Sequence, residues 1–287
     1  MNLKKTATLE KQAALTLEVS GDGVAWLVFD RPDHRLNLLT RAVMTTLDAL
    51  LGEIEAGAAA GDILGVVLRS GKDGTFMAGA DIREIRDIET AADGEAASRA
   101  GQAILRRLER LEVPTVAAVD GVCLGGGTEL ILACGHRLAT DRPSTRIGLP
   151  EVRLGILPGL GGTTRLPRLI GLTQALPLIL TGKPVSAKKA ARIGLIDEMV
   201  PRAALYDRAR AVALEAASGA PRRKRRSRPL HVRLLEESSP GRAIVLSQAK
   251  KRVIQETRGH YPAPLVALNT LARSAGARLD RAFEIEA

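Results

Sequence analysis

The chain has 287 residues, 45% of them hydrophobic and 26% charged, which is the make-up of a soluble globular protein large enough to bury a substantial core and far from that of a disordered one. The few aromatics (Trp26, Phe29, Phe76, Tyr206, Tyr261, Phe283) are too sparse for a base-stacking surface, and no apolar run is long enough to span a membrane, so neither a nucleic-acid module nor a membrane protein is expected. The net charge of +10 is concentrated in one run, Arg222, Arg223, Lys224, Arg225, Arg226 and Arg228, which reads either as a solvated linker or as a contact for a phosphorylated ligand or acidic partner.

Residues 15–29 alternate apolar and polar positions around the turn Gly21-Asp22-Gly23, predicting two short strands. Thr40 is placed to cap a helix carrying Val43, Leu47, Leu50, Leu51 and Ile54 on one face, with Gly57 as its stop. Residues 64–69 and 115–119 are continuous apolar runs of strand length, separated by a helical stretch at 92–112, the pattern of buried parallel strands. Strand-like pieces recur at 137–140 and 196–200, with helices near 126–134, 162–171, 173–181 and 187–193, the last capped by Ser186 and ended by Gly194.

Beyond Pro201 only helices are predicted, at 202–218, 241–257 and after Tyr261-Pro262. Pro221 and Pro229 bracket the basic run, dividing an α/β core at 1–220 from a basic linker and helical part at 221–287. Cys123 and Cys134 lack the paired spacing of a disulfide framework or zinc site, which favours a reducing, cytoplasmic setting. His34, His136, His231 and His260 show no metal-ligand spacing either, so no metal is expected.

Three segments carry residue types suited to chemistry. In the first, Gly125-Gly126-Gly127-Thr128-Glu129 leads from a strand into a helix, where free N–H groups and the helix dipole favour an anion at Gly126 while Glu129 rises one turn further along the same face. The glycines also fit plain helix–strand packing. The second segment, Gly148-Leu149-Pro150-Glu151, holds Glu151 on a proline-stiffened loop ahead of the cluster at Gly159, Gly161 and Gly162, although a solvated surface glutamate reads the same way. In the third, Ala78-Gly79-Ala80-Asp81, Asp81 caps the next helix and leaves the Ala80 N–H free; a cap without a ligand is the plainer alternative.

In this order and at these separations the segments resemble the crotonase, or enoyl-CoA hydratase, superfamily. The likeness runs from about residue 15 to 201 and includes Asn37, Pro158-Gly159-Leu160-Gly161-Gly162-Thr163, Leu180-Thr181-Gly182-Lys183 and the stretch 191–197. Within the superfamily the chain looks most like the N-terminal hydratase part of the multifunctional fatty-acid oxidation α-subunit, on the Thr140–Thr145 loop, the stretch 166–171 and the Gly259–Ala263 turn. It departs from that subunit in carrying no dinucleotide-binding fingerprint.

The resemblance implies an α/β fold with a ββα-repeat spiral core and a helical C-terminal part. It implies hydration of 2-trans-enoyl-CoA to 3-hydroxyacyl-CoA in fatty-acid β-oxidation, with Δ3-Δ2 isomerisation as a secondary activity. Glu129 and Glu151 would be the catalytic pair, and the Ala80 and Gly126 amides the oxyanion hole. Ala78, Gly79, Asp81, Gly125, Gly127, Pro150 and Gly159 would line the substrate. No cofactor is implied, since coenzyme A belongs to the acyl-CoA substrate. Implied partners are copies of the chain or a thiolase or dehydrogenase subunit, and a non-catalytic docking subunit of the same fold is the alternative. RNA binding through Arg222–Arg228 is disfavoured by the scarcity of aromatics.

Overall fold

The computed structural model describes residues 14–32, 34–220, 230–258 and 260–287. The basic run, its two bracketing prolines and the side chain of His231 lie outside the described residues.

Strands β1 (Leu15–Val19) and β2 (Val24–Phe29) form the predicted antiparallel hairpin, with Leu15 opposite Phe29 and Gly23 at φ +81° in the turn. Helix α1 (Arg41–Ala60) starts where the Thr40 hydroxyl accepts from the Val43 N–H, as predicted. It does not stop at Gly57. A Cβ there would lie 2.6 Å from Ile63 Cδ1, so Gly57 makes room for the returning chain, while Gly61, at φ +80°, ends the helix.

The next strands come in closely spaced pairs: β3 (Gly65–Ser70) with β4 (Thr75–Met77), β5 (Thr115–Val119) with β6 (Val122–Leu124), and β7 (His136–Thr140) with β8 (Arg146–Gly148). Each pair runs into helix or 3-10 turn: α2 (Ile82–Arg86) and α3 (Ala91–Glu109), then α4 (Gly126–Leu132), then the 3-10 turn Glu151–Leu154 followed by α5 (Gly162–Ile170). This is the ββα spiral. Helices α6 (Leu172–Thr181) and α7 (Ala187–Ile193), strands β9 (Val185–Ser186) and β10 (Glu198–Val200), and α8 (Leu205–Ala217) complete it.

The first members of the pairs build a six-stranded sheet, β1-β2-β3-β5-β7-β10, parallel apart from the β1–β2 hairpin. All of β5 is buried, which explains its unbroken apolar run. The second members build a separate sheet, β4-β6-β8-β9, which the sequence did not reveal. Strands of two or three residues are too short to show a period, and only their partners define them.

After residue 229 come α9 (Leu230–Glu237), α10 (Ser239–Thr257), α11 (Pro262–Ser274) and α12 (Leu279–Glu286). The helix α9 was not predicted, and the expected single terminal helix is two. Val253, Ala263, Ala267, Leu268 and Leu271 share one apolar cluster with Leu166, Leu176 and Ile179 of α5 and α6, so the tail packs into the same core. Among the described residues no helix is long and apolar enough to cross a membrane.

Candidate active site

The three segments singled out in the sequence all leave the C-terminal ends of neighbouring parallel strands: Ala78–Ala80 after β4, Gly125 and Gly126 after β6, and Pro150 and Glu151 after β8. Residues far apart in the chain are thereby set side by side, beyond the carboxyl ends of parallel strands, where ligands commonly bind in α/β proteins.

Asn37 stitches the first segment in place. Its buried Nδ2 donates to Phe29 O at 2.8 Å, Ser70 Oγ at 2.9 Å and Phe76 O at 3.3 Å, while its side-chain Oδ1 accepts from Arg31 N–H at 3.0 Å. The next residues bridge to the segment: Leu39 N–H donates to Gly79 O at 2.9 Å and Asp81 N–H to Leu39 O at 3.4 Å. In that parallel bridge the Ala80 N–H faces the other way, and it makes no hydrogen bond among the described residues. Asp81 caps α2 by accepting from Arg83 N–H at 3.0 Å, and bonds to the Arg83 guanidinium hold its carboxyl down to about 2.

The second segment meets the first. Gly125, at φ +54°, donates its N–H to Gly148 O at 2.9 Å, and Gly126 begins α4 with its own N–H free of any acceptor among the described residues. A Cβ on Gly126 would lie 3.6 Å from the Ala80 nitrogen, so the two free N–H groups are neighbours. A Cβ on Gly127 would instead meet Met77 Cβ at 2.6 Å and Met77 O at 2.8 Å, so this glycine lets α4 press against β4. Thr128 was not foreseen. Its hydroxyl lies 2.9 Å from Cys123 O and 2.8 Å from Gly148 O, tying α4 to β6 and β8.

Glu129 and Glu151 are both buried, which excludes the reading of Glu151 as a solvated surface residue. Their surroundings differ. Glu129 Oε1 accepts from the N–H groups of Leu160 and Gly162, each at 2.7 Å, whereas neither carboxyl oxygen of Glu151 has a partner among the described residues. Burial first, then the charges of Glu151 and Glu286, push Glu129 well above the ordinary carboxylate range, with the two N–H donors pulling against them. Burial pushes Glu151 up to about 7.

Two donors favour the charged form of Glu129, whereas Glu151, with none among the described residues, has nothing to offset its burial. Hydrogen bonding thus distinguishes two carboxyls that burial raises alike. A Cβ on Gly125 would lie 3.0 Å from Glu151 Oε1 and 3.6 Å from Gly79 Cα, which sets this carboxyl beside the chain that carries the free N–H groups.

Other predicted residues support the frame. Ala78 N–H donates to Asn37 O at 2.9 Å, Pro150 O accepts from Arg153 N–H at 2.8 Å, and Gly159 O accepts from Ser98 Oγ at 2.5 Å and Gln102 Nε2 at 3.1 Å. Sequence reasoning missed the donors Leu160 and Gly162, which depend on a long-range contact, and it missed Glu286 of α12. That residue is buried against the same glycine turn, though an acid on a terminal helix ordinarily reads as solvated.

A ββα spiral that brings two carboxyls of unlike environment and two unpaired N–H groups to three adjacent strand ends is a crotonase-type α/β fold. The chain belongs to the enoyl-CoA hydratase/isomerase family, whose model matches residues 20–243. It is 43% identical over 276 residues to the fatty acid oxidation complex subunit alpha of Shewanella amazonensis, covering 96% of this chain and 38% of that protein. Against the protein of the same name from Vibrio vulnificus it is 39% identical over 279 residues, covering 97% and 39%. The chain thus spans less than two fifths of the length of these relatives.

Among solved structures, an enoyl-CoA hydratase from Bacillus anthracis superposes with a TM-score of 0.65 at 31% identity, covering 85% of this chain and 92% of that one. One from Geobacillus kaustophilus superposes with a TM-score of 0.66 at 26% identity, covering 95% and 85%.

Proposed function

We propose that this chain adds water across the 2,3 double bond of 2-trans-enoyl-CoA thioesters, giving 3-hydroxyacyl-CoA in fatty-acid oxidation. The observation that carries the reading is the unequal glutamate pair: among the described residues Glu129 is held by two N–H donors and Glu151 by none, beside the free N–H groups of Ala80 and Gly126. The family match and the names of the relatives support it.

In this reading Glu129 starts ionised and Glu151 protonated. Ionised Glu129 takes a proton from water as its oxygen bonds to C3; the electron pair of the double bond passes to the thioester oxygen, where the Ala80 and Gly126 N–H groups hold the charge. Protonated Glu151 then delivers its proton to C2 as the carbonyl reforms. The pair ends with its proton on Glu129, and one transfer back restores the starting state. Coenzyme A enters and leaves as part of the substrate. Isomerisation of 3-enoyl to 2-enoyl thioesters is proposed as a side reaction, since one carboxyl moving a proton between C4 and C2 of the same enolate suffices.

The test is hydration of short and long enoyl-CoAs by the protein and by Glu129→Gln and Glu151→Gln. Each change is expected to lower kcat by roughly 10²–10⁴-fold, the worth of one positioned acid or base. Turnover that survives both changes overturns the assignment. A chain that binds a thiolase or dehydrogenase subunit without any turnover would show the docking alternative instead.

A further inference from the structure

Glu286 takes no part in the proposed reaction, yet it is buried at 5% exposure. Burying a carboxylate costs several kcal/mol unless hydrogen bonds or a cation offset it. No ion pair to Glu286 forms among the described residues; all its partners but one lie on the turn that leads into α5. Its Oε2 accepts from Thr163 Oγ1 at 2.6 Å and Thr164 N–H at 2.8 Å, and its Oε1 accepts from Gly161 N–H and, at 3.3 Å, from Gln102 Nε2.

That turn is also the one that grips Glu129. Successive N–H groups alternate between the two carboxylates: Leu160 and Gly162 donate to Glu129, and Gly161 donates to Glu286. Gly161 sits at φ +112°, a conformation open to glycine, which allows neighbouring N–H groups to point to opposite sides. Since each peptide plane is rigid, Gly161 cannot move without moving the donors on either side of it.

We propose that Glu286 is a positioning residue for the catalytic pair: by holding the Gly161–Thr164 turn from the α12 side, it keeps the Leu160 and Gly162 N–H groups aimed at Glu129. The kinetic half of this inference rests on the hydratase reading, whereas the positioning half does not. Helix α12 is then part of the working site. Glu286 is bonded by Gln102 of α3 and by Thr163 and Thr164 of α5, and feels the charges of Glu129, Glu151 and Arg168; the cations Arg106 of α3 and the buried Arg165 of α5 stack on Phe283 of α12, while Arg273 of α11 is exposed.

The experiment compares the protein with Glu286→Gln, which sets an NH2 against the Thr164 N–H, and with Thr163→Val, which removes one bond and keeps the charge. Amide hydrogen exchange needs no turnover. In both variants the Leu160 and Gly162 N–H groups are expected to exchange roughly tenfold faster or more, with those of β5 unchanged. In hydration, kcat should fall roughly tenfold to a hundredfold with KM within about twofold, the cost of a displaced catalytic group. In Glu286→Gln the alkaline limb of the pH profile, set by Glu151, should also move to lower pH as a repelling charge is lost.

Should Glu286→Gln fail to fold, Thr163→Val decides alone by exchange and kcat. Unchanged exchange at Leu160 and Gly162 overturns the proposal, and so does a variant with lowered thermal stability but the parent's kcat and pH profile. A parent protein that hydrates no enoyl-CoA removes the proposed function, leaving hydrogen exchange to settle the role of Glu286.

Discussion

The N–H of Gly125 donates to the carbonyl oxygen of Gly148 at 2.9 Å. Through this bond the end of β6 meets the end of β8, and the segments bearing Glu129 and Glu151 become neighbours. Thr128 reinforces the junction by bonding Gly148 O as well. The two segments that carry the glutamates are thus joined by contacts that neither carboxyl makes itself.

Thr128→Val replaces the hydroxyl with a methyl of similar size and leaves Cys123 O without that partner in a fully buried place. Stability should fall by about 1–3 kcal/mol, the penalty for stranding a buried polar group. Urea denaturation reads the stability. Hydration of an enoyl-CoA should show kcat falling with KM little changed, as the two glutamates lose their mutual register.

Gly127→Ala drives a methyl into Met77, with the backbone oxygen 2.8 Å away and unable to yield as a side-chain tip does. Overpacking of this kind costs roughly 1–3 kcal/mol. Because the clash displaces α4 from β4, Gly126 should separate from Ala80 as well. Thermal melting and turnover are expected to drop together; a variant as stable as the parent would contradict the packing role.

Gly101→Ala separates the same two quantities. A Cβ there would lie 2.3 Å from Leu160 Cδ2, closer than contact allows, so Leu160 must shift. Alanine is favoured over glycine within a helix by up to about 1 kcal/mol, so stability should change little. Leu160 also donates its N–H to Glu129, and its displacement should lower kcat by roughly tenfold.

The raised carboxyl of Glu151 makes stability depend on pH. Its folded value of about 7 lies above the ordinary 4.5, so between those values the folded state binds more protons than the unfolded chain. Stability should therefore fall as pH rises from about 4.5 to about 7 and level off above that. Glu151→Gln removes this contribution. Chemical denaturation across the range is expected to show a flatter profile for the variant and a gain in its stability over the parent at alkaline pH.

Much of the large sheet is legible along the chain because its signals are local. The β1–β2 hairpin, the apolar run of β5 and the Thr40 and Ser186 caps each depend on residues within a few positions of one another. The small sheet is not legible, although every candidate site segment leaves one of its strands. Gly57 shows the same limit: whether a glycine ends a helix or makes room beside it depends on Ile63, which only the fold brings back.

The amino-acid order by itself determined which groups are available for chemistry: two glutamates placed behind glycine and proline, and amides left free at a helix start and beside a cap. Those properties belong to short segments, so they survive being read in isolation. Tertiary structure alone decided how the two acids differ. Glu129 draws its donors from residues 31 and 33 positions away, and the turn that supplies them is held by Glu286, 125 positions from Gly161. Contacts across such separations depend on how the whole core packs, and no local pattern carries them.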